Sequence, residues 1–144
     1  MSNYQDKNNN LDEENELQLI IGRNPVIEAL KAGKHIYAMA APATEGQFGV
    51  DITMASWKKA MKEMGFTDFY DVGLGGDMTA AYEAEEWAEA YKEGNKKVTS
   101  CCPAFVNMVR LHYPELAECV STTVSPMCAV SRLIKAKDPE AITV

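Results

Sequence analysis

The chain is poor in the features that would make a function plain. No stretch approaches the ~20 consecutive apolar residues of a membrane-spanning helix. The opening MSNYQDKNNNLDEENE has neither the basic nor the apolar region of a secretory signal, which predicts a cytoplasmic protein with no membrane partner. Basic charge is scarce: 14 Lys and Arg stand against 21 Asp and Glu, for a net charge of −7. The basic pairs Lys58-Lys59 and Lys96-Lys97 are isolated. Nucleic-acid binding driven by phosphate contacts alone is therefore not expected. Only two histidines occur, His35 and His112, and no Cys-x-x-Cys, so no zinc site is spelled out. The turn VGLGGD lacks the full G-x-G-x-x-G, because Gly73 and Gly75 are followed by Gly76, Asp77 and Met78. An aspartate at a helix entrance also repels phosphate, so the turn reads as a tight one with Asp77 as helix cap.

What remains is the text of one domain, long enough at 144 residues to bury a core without staples. Residues 1–18 are polar, acidic and asparagine-rich, the composition of a disordered tail. LIIGRNPVIEALKAGK, residues 19–34, reads as a short helix with Asn24 as cap, Pro25 at the first helical position and Gly33 as stop. HIYAMAAPA is apolar or amphipathic on both faces, as a central strand would be. DITMASWKKAMKEMGF follows as a helix closed by Gly65, TDFYDVG as a strand, and a long helix ends at Gly94. KKVTS reads as a further strand; helices then start at Pro103 and at SPM, and AITV is strand-like. Strands alternating with helices predict an α/β fold, a parallel sheet with crossover helices. In such sheets chemistry gathers beyond the carboxyl ends of the strands. Three turns are expected there: APATEGQFG, VGLGGD and TSCCP.

TSCCP carries the chemistry. Cys101 and Cys102 precede Pro103 at a helix opening, where free N–H groups and the helix dipole stabilise negative charge. A thiolate in that place serves as a nucleophile or as a soft-metal ligand. Neighbouring side chains diverge, so one thiol would ligate and the other would take a second role. For Cys119 and Cys128 burial as small hydrophobes is one of two open readings, and the sequence assigns them no role. Glu83, Glu86 and Ser121 could form a proton relay if they point inward, or could lie on solvated surfaces if they do not.

From about His35 to Val144 the chain resembles the catalytic, C-terminal domain of the iron-only (FeFe-type) hydrogenase large subunit. The residues that carry the resemblance are APA, GFTDFYDVGLGGDMT, TSCCPAF, YPEL and SPMCAVSRLIK, in that order. The resemblance implies reversible hydrogen oxidation at a 4Fe-4S cubane joined through a cysteine to a two-iron centre, with a redox partner such as a ferredoxin. It also implies that Cys102 is a cubane ligand and that Cys101 passes protons to the two-iron site. Glu83, Glu86 and Ser121 then take the relay positions, while Ala41, Pro42, Ala43, Ser125 and Pro126 lie against the cofactor. Phe105 replaces the family's usual tryptophan, and Met127 and Cys128 replace its glutamines, which marks a divergent member; subgroups with such changes include sensory-type hydrogenases.

The chain ends at AITV, before the two later cysteine motifs that supply the other three cubane ligands. The expectation is a truncated domain, residues 35–144, that binds no cluster stably alone and whose partner is the missing C-terminal half. Residues 19–34 resemble instead the start of the substrate-binding domain of TrmH-like RNA 2′-O-ribose methyltransferases. Two alternatives follow, an RNA-binding or methyltransferase-related fragment and a small thiol redox protein using Cys101 with Cys102. The second would need a strained bond between adjacent cysteines.

Overall fold

A computed structural model describes residues 22–144. The tail at 1–18 and the apolar run at 19–21 lie outside the described residues. The elements are α1 (Arg23–Lys31), β1 (Ile36–Ala40), α2 (Met54–Glu63), β2 (Asp68–Asp71), α3 (Gly73–Lys92), α4 (Pro103–His112), α5 (Pro126–Lys137) and β3 (Ile142–Thr143). Short 3-10 turns occupy Pro42–Thr44 and Pro114–Cys119.

The sheet has the order β2-β1-β3 and is parallel throughout. The expected α/β architecture and the central place of β1 are both present. Register pairs Ala38 with Phe69 and Met39 with Tyr70, so side chains alternate between the two faces. Ile36, Ala38 and Phe69 are buried on one face, where α2 lays Trp57 over Phe69 with ring centroids 6.5 Å apart. On the other face, Tyr37, Met39 and Tyr70 pack on buried Val130, Ile134 and Ala141. Because α5 covers that face, both surfaces of β1 leave water, which accounts for its unbroken apolar text.

Local chemistry sets most boundaries. Thr53 caps α2 by accepting from the Ser56 N–H, and Ser125 caps α5 by accepting from the Cys128 N–H at 3.3 Å. Gly65, at φ 99°, ends the turn after α2, a conformation open to glycine at little cost.

Three expectations need correction. First, α1 begins at Arg23 with Gly22 as its cap position, so Asn24 and Pro25 lie inside the helix. Second, α3 begins at Gly73, so the glycine turn is itself helical and Asp77 caps nothing. The cap position is Val72, which offers no side-chain bond; one residue earlier, Asp71 Oδ1 accepts from the Gly73 N–H at 2.7 Å. Tertiary packing outweighs the poor helix propensity of GLGG: a Cβ on Gly75 would stand 2.1 Å from the Pro126 carbonyl oxygen, so only glycine lets α3 approach the start of α5. Third, KKVTS adds no strand to the sheet. Val98 makes an isolated parallel bridge with Val120, through Val98 N–H to Cys119 O at 2.8 Å and Ser121 N–H to Val98 O at 2.8 Å.

Candidate functional site

The turns that follow β1 and β2 lie side by side at the carboxyl edge of the sheet. A Cβ on Gly73 would stand 3.3 Å from Pro42, which places Ala41, Pro42 and Ala43 against the start of α3. Two residues further along the same helix, Gly75 meets Pro126, which brings in Ser125. The Cys101 turn joins them from a third direction, because Ser100 Oγ donates to the Thr123 carbonyl at 2.7 Å. Neither the bridge at Val98 nor the helix α4 belongs to the sheet; hydrogen bonds tie residues 98–100 instead to α3 and to residues 119–123.

Cys101, Cys102 and Cys128 are free and exposed, and Cys119 is half-buried and free, so neither Cys119 nor Cys128 is a fully buried hydrophobe. Cys102 occupies the cap position of α4, one residue before Pro103. Cys101 directs its N–H to Thr99 Oγ1 at 3.3 Å.

Glu83 and Glu86, three residues apart and both half-buried, project from one side of α3. They serve different loops. Glu83 Oε1 accepts from the Thr99 hydroxyl at 3.0 Å and from the Ser100 N–H at 3.2 Å. Glu86 Oε1 accepts from the Thr122 N–H at 3.2 Å and the Thr122 hydroxyl at 3.1 Å, with the Lys97 ammonium at 3.3 Å. Hydrogen bonding from the buried Ser121 hydroxyl, opposed by partial burial and aided by Thr122 and Lys97, holds Glu86 down to about 2. Ser121 Oγ also accepts from the Thr123 N–H at 3.1 Å, and the second carboxylate oxygen, Glu86 Oε2, is buried. Beside this cluster, a cleft of about 510 Å³ runs along α4 and is lined by Ser100, Arg110, Ser121 and Thr122 among others.

Of the residues expected to act, Cys101 and Glu83 are joined through Thr99, and Ser121 lies by Glu86. Ala41 to Ala43, Ser125 and Pro126 form the neighbouring wall. No hydrogen bond among the described residues joins Glu83 to Glu86. Thr99, Lys97 and Thr122 escaped the sequence reading because only the fold brings them to α3; the basic pair Lys96-Lys97 was visible but carried no sign of a carboxylate partner.

A 4Fe-4S cluster takes four cysteine thiolates. Among the described residues no three His, Cys, Asp or Glu side chains converge as a metal site. The described residues thus fit one ligand position, at Cys102, and do not fit a whole cubane. No helix among them is long and apolar enough to cross a membrane.

In a parallel α/β layer of this kind, ligands gather at the loops beyond the carboxyl ends of the strands. The family is settled by comparison: the model described as "Iron only hydrogenase large subunit, C-terminal domain" matches residues 34–144, and the chain belongs to that family. It is 32% identical over 103 residues to Iron hydrogenase 1 of Clostridium pasteurianum, covering 65% of this chain and 18% of that protein. It is 31% identical over 114 residues to the periplasmic Fe hydrogenase large subunit of Nitratidesulfovibrio vulgaris, covering 71% of this chain and 27% of that one. Against the NADP-reducing hydrogenase subunit HndD of Solidesulfovibrio fructosivorans the identity is 27%, with 70% and 20% covered. The chain thus spans about a fifth to a quarter of these relatives. The fold matches that of the apo FeFe-hydrogenase HydA1 of Chlamydomonas reinhardtii, in a single-substitution variant, with a TM-score of 0.66 at 23% identity, over 82% of this chain and 36% of that one.

Proposed function

We propose that this chain forms the part of an iron-only hydrogenase catalytic domain that carries one cubane ligand, Cys102, and a proton-exchanging thiol, Cys101. The observation that supports the reading most is the link from the Cys101 turn to a half-buried carboxylate: Glu83 holds Thr99 and Ser100, the two residues that precede Cys101. In this reading Cys101 exchanges protons with Glu83, while Ser121 lines the cleft along α4 and Glu86 holds its neighbour Thr122. Ala41, Pro42, Ala43, Ser125 and Pro126 exclude water on the opposite side. The cubane and the two-iron centre would supply the redox chemistry when bound, with the other three thiolates coming from a complementary C-terminal portion of the domain.

A cytoplasmic setting and a ferredoxin-type redox partner belong to the same proposal, and the four free thiols accord with a reducing compartment. Residues 19–34 are proposed as a segment of separate, methyltransferase-like origin. In support, the family match begins at residue 34, and α1 buries none of its residues fully.

Anaerobic reconstitution with iron and sulfide tests the reading. The chain alone should take up no cubane, whereas the chain mixed with the complementary portion of a family catalytic domain should gain cluster absorbance, and Cys102→Ser should abolish that gain. A cluster assembled equally well by the Cys102→Ser variant would overturn the ligand assignment.

A further inference from the structure

We propose that Thr99 is a positioning residue, whose single hydroxyl transmits the placement of Glu83 to the backbone of Cys101. The inference deepens the reading of Cys101 as the proton-exchanging thiol and rests on it. Residues 99–102 have left the bridge at Val98 and have not yet entered α4, so the N–H groups of Ser100 and Cys101 have no strand partner. Glu83 Oε1 accepts from the Ser100 N–H at 3.2 Å. Cys101 N–H turns instead to Thr99 Oγ1 at 3.3 Å, and that hydroxyl donates to the same Glu83 oxygen at 3.0 Å.

A hydroxyl donates and accepts at once, which neither a carboxylate nor an amide N–H can do. Thr99 therefore converts an acceptor fixed on α3 into an acceptor for the Cys101 amide. A threonine that accepts from the N–H two residues on is by itself a common local turn. Here the same oxygen is also tethered to a side chain 16 residues earlier, on a different element. Donation to a carboxylate polarises the hydroxyl and strengthens the bond it accepts. On the far side, Ser100 Oγ donates to the Thr123 carbonyl at 2.7 Å, so the turn is held between two segments. Glu86 takes no part in this tie, because its contacts are with Thr122, Lys97 and Ser121.

The test uses the full chain with Cys102, Cys119 and Cys128 replaced by serine, leaving Cys101 as the reporter. Amide hydrogen exchange is read at Cys101, with Val98 as internal reference, and iodoacetamide alkylation is followed from about pH 7 to about 9. Thr99→Val should speed exchange of the Cys101 amide about tenfold relative to Val98, as loss of one charge-supported hydrogen bond implies. It should also raise the alkylation rate at least about threefold across that range, as the turn opens. Thr99→Ser, which keeps the hydroxyl, should restore both. Glu83→Gln, with its weaker acceptor, should move both in the same direction by a smaller factor, and it serves the comparison if Thr99→Val fails to fold. Exchange and alkylation of Thr99→Val that overlay the parent would overturn the proposal, as would a Glu83→Gln profile identical to the parent. Failure of the underlying reading is seen separately: hydrogen–water isotope exchange by the complemented protein would then survive Cys101→Ser, whatever Thr99→Val does to the amide.

Discussion

Glu86 differs in its surroundings from Glu83, the other half-buried glutamate of α3. Its folded-state value of about 2 lies below the 4.5 of a free glutamate, so its ionised form is favoured by folding. The stability this confers is complete above about pH 4.5 and is lost as pH falls toward 2. Glu86→Gln should therefore cost about 1–3 kcal/mol at neutral pH and progressively less near the acid end, measured as urea midpoints across pH. Lys97→Met should raise the Glu86 carboxyl toward the ordinary range without reaching it, since Thr122 and Ser121 remain; a carboxyl titration by NMR reads this directly. A carboxylate held so firmly ionised is a poor proton carrier. In the proposed reading Cys101 and Glu83 exchange the proton, and Glu86 chiefly holds the Thr122 loop. None of this was legible in EAEEWAEA, where each glutamate could equally have faced solvent. The partners of both carboxylates lie between 11 and 36 residues away in a chain that folds back on itself.

At the scale of elements, the contact between α3 and α5 turns on one missing side chain. Gly75→Ala would drive a Cβ to 2.1 Å from the Pro126 backbone oxygen, and backbone cannot swing aside as a flexible side chain can. The expected cost is about 3 kcal/mol or more, read as a collapse of the thermal midpoint. Gly76→Ala meets nothing within 4 Å and should stabilise by about 0.5–1 kcal/mol through helix propensity, a matched control on the next residue. The same pair explains where sequence reading succeeded and failed. The two-faced apolar run of β1 and the helices read in DITMASWKKAMKEMGF and from SPM are local signals, and they are present in the structure. The glycines of α3 mimic a turn because their reason is a helix two elements later. KKVTS alternates like a strand, yet Val98 finds only Val120 as its ladder partner.

For the molecule as a whole, the described surface carries more apolar side chains than a self-sufficient domain needs. Met108, Leu111, Tyr113 and Leu116 are exposed on and just after α4, and Tyr82, Trp87 and Tyr91 along α3. The sheet is three strands wide, so β2 and β3 both stand at edges. The chain by itself should associate at micromolar concentration, with light scattering rising with concentration, and a complementary portion of the catalytic domain should suppress it. A monodisperse monomer across that range would contradict the expectation. Order of synthesis adds a further consequence. The central strand receives β3 through Ile142 N–H to His35 O and Met39 N–H to Val144 O, partners more than 100 residues apart. A growing chain on the ribosome therefore holds β1 with one flank bare until residue 144 has cleared the exit tunnel, and a chaperone arriving in that interval meets an open ladder.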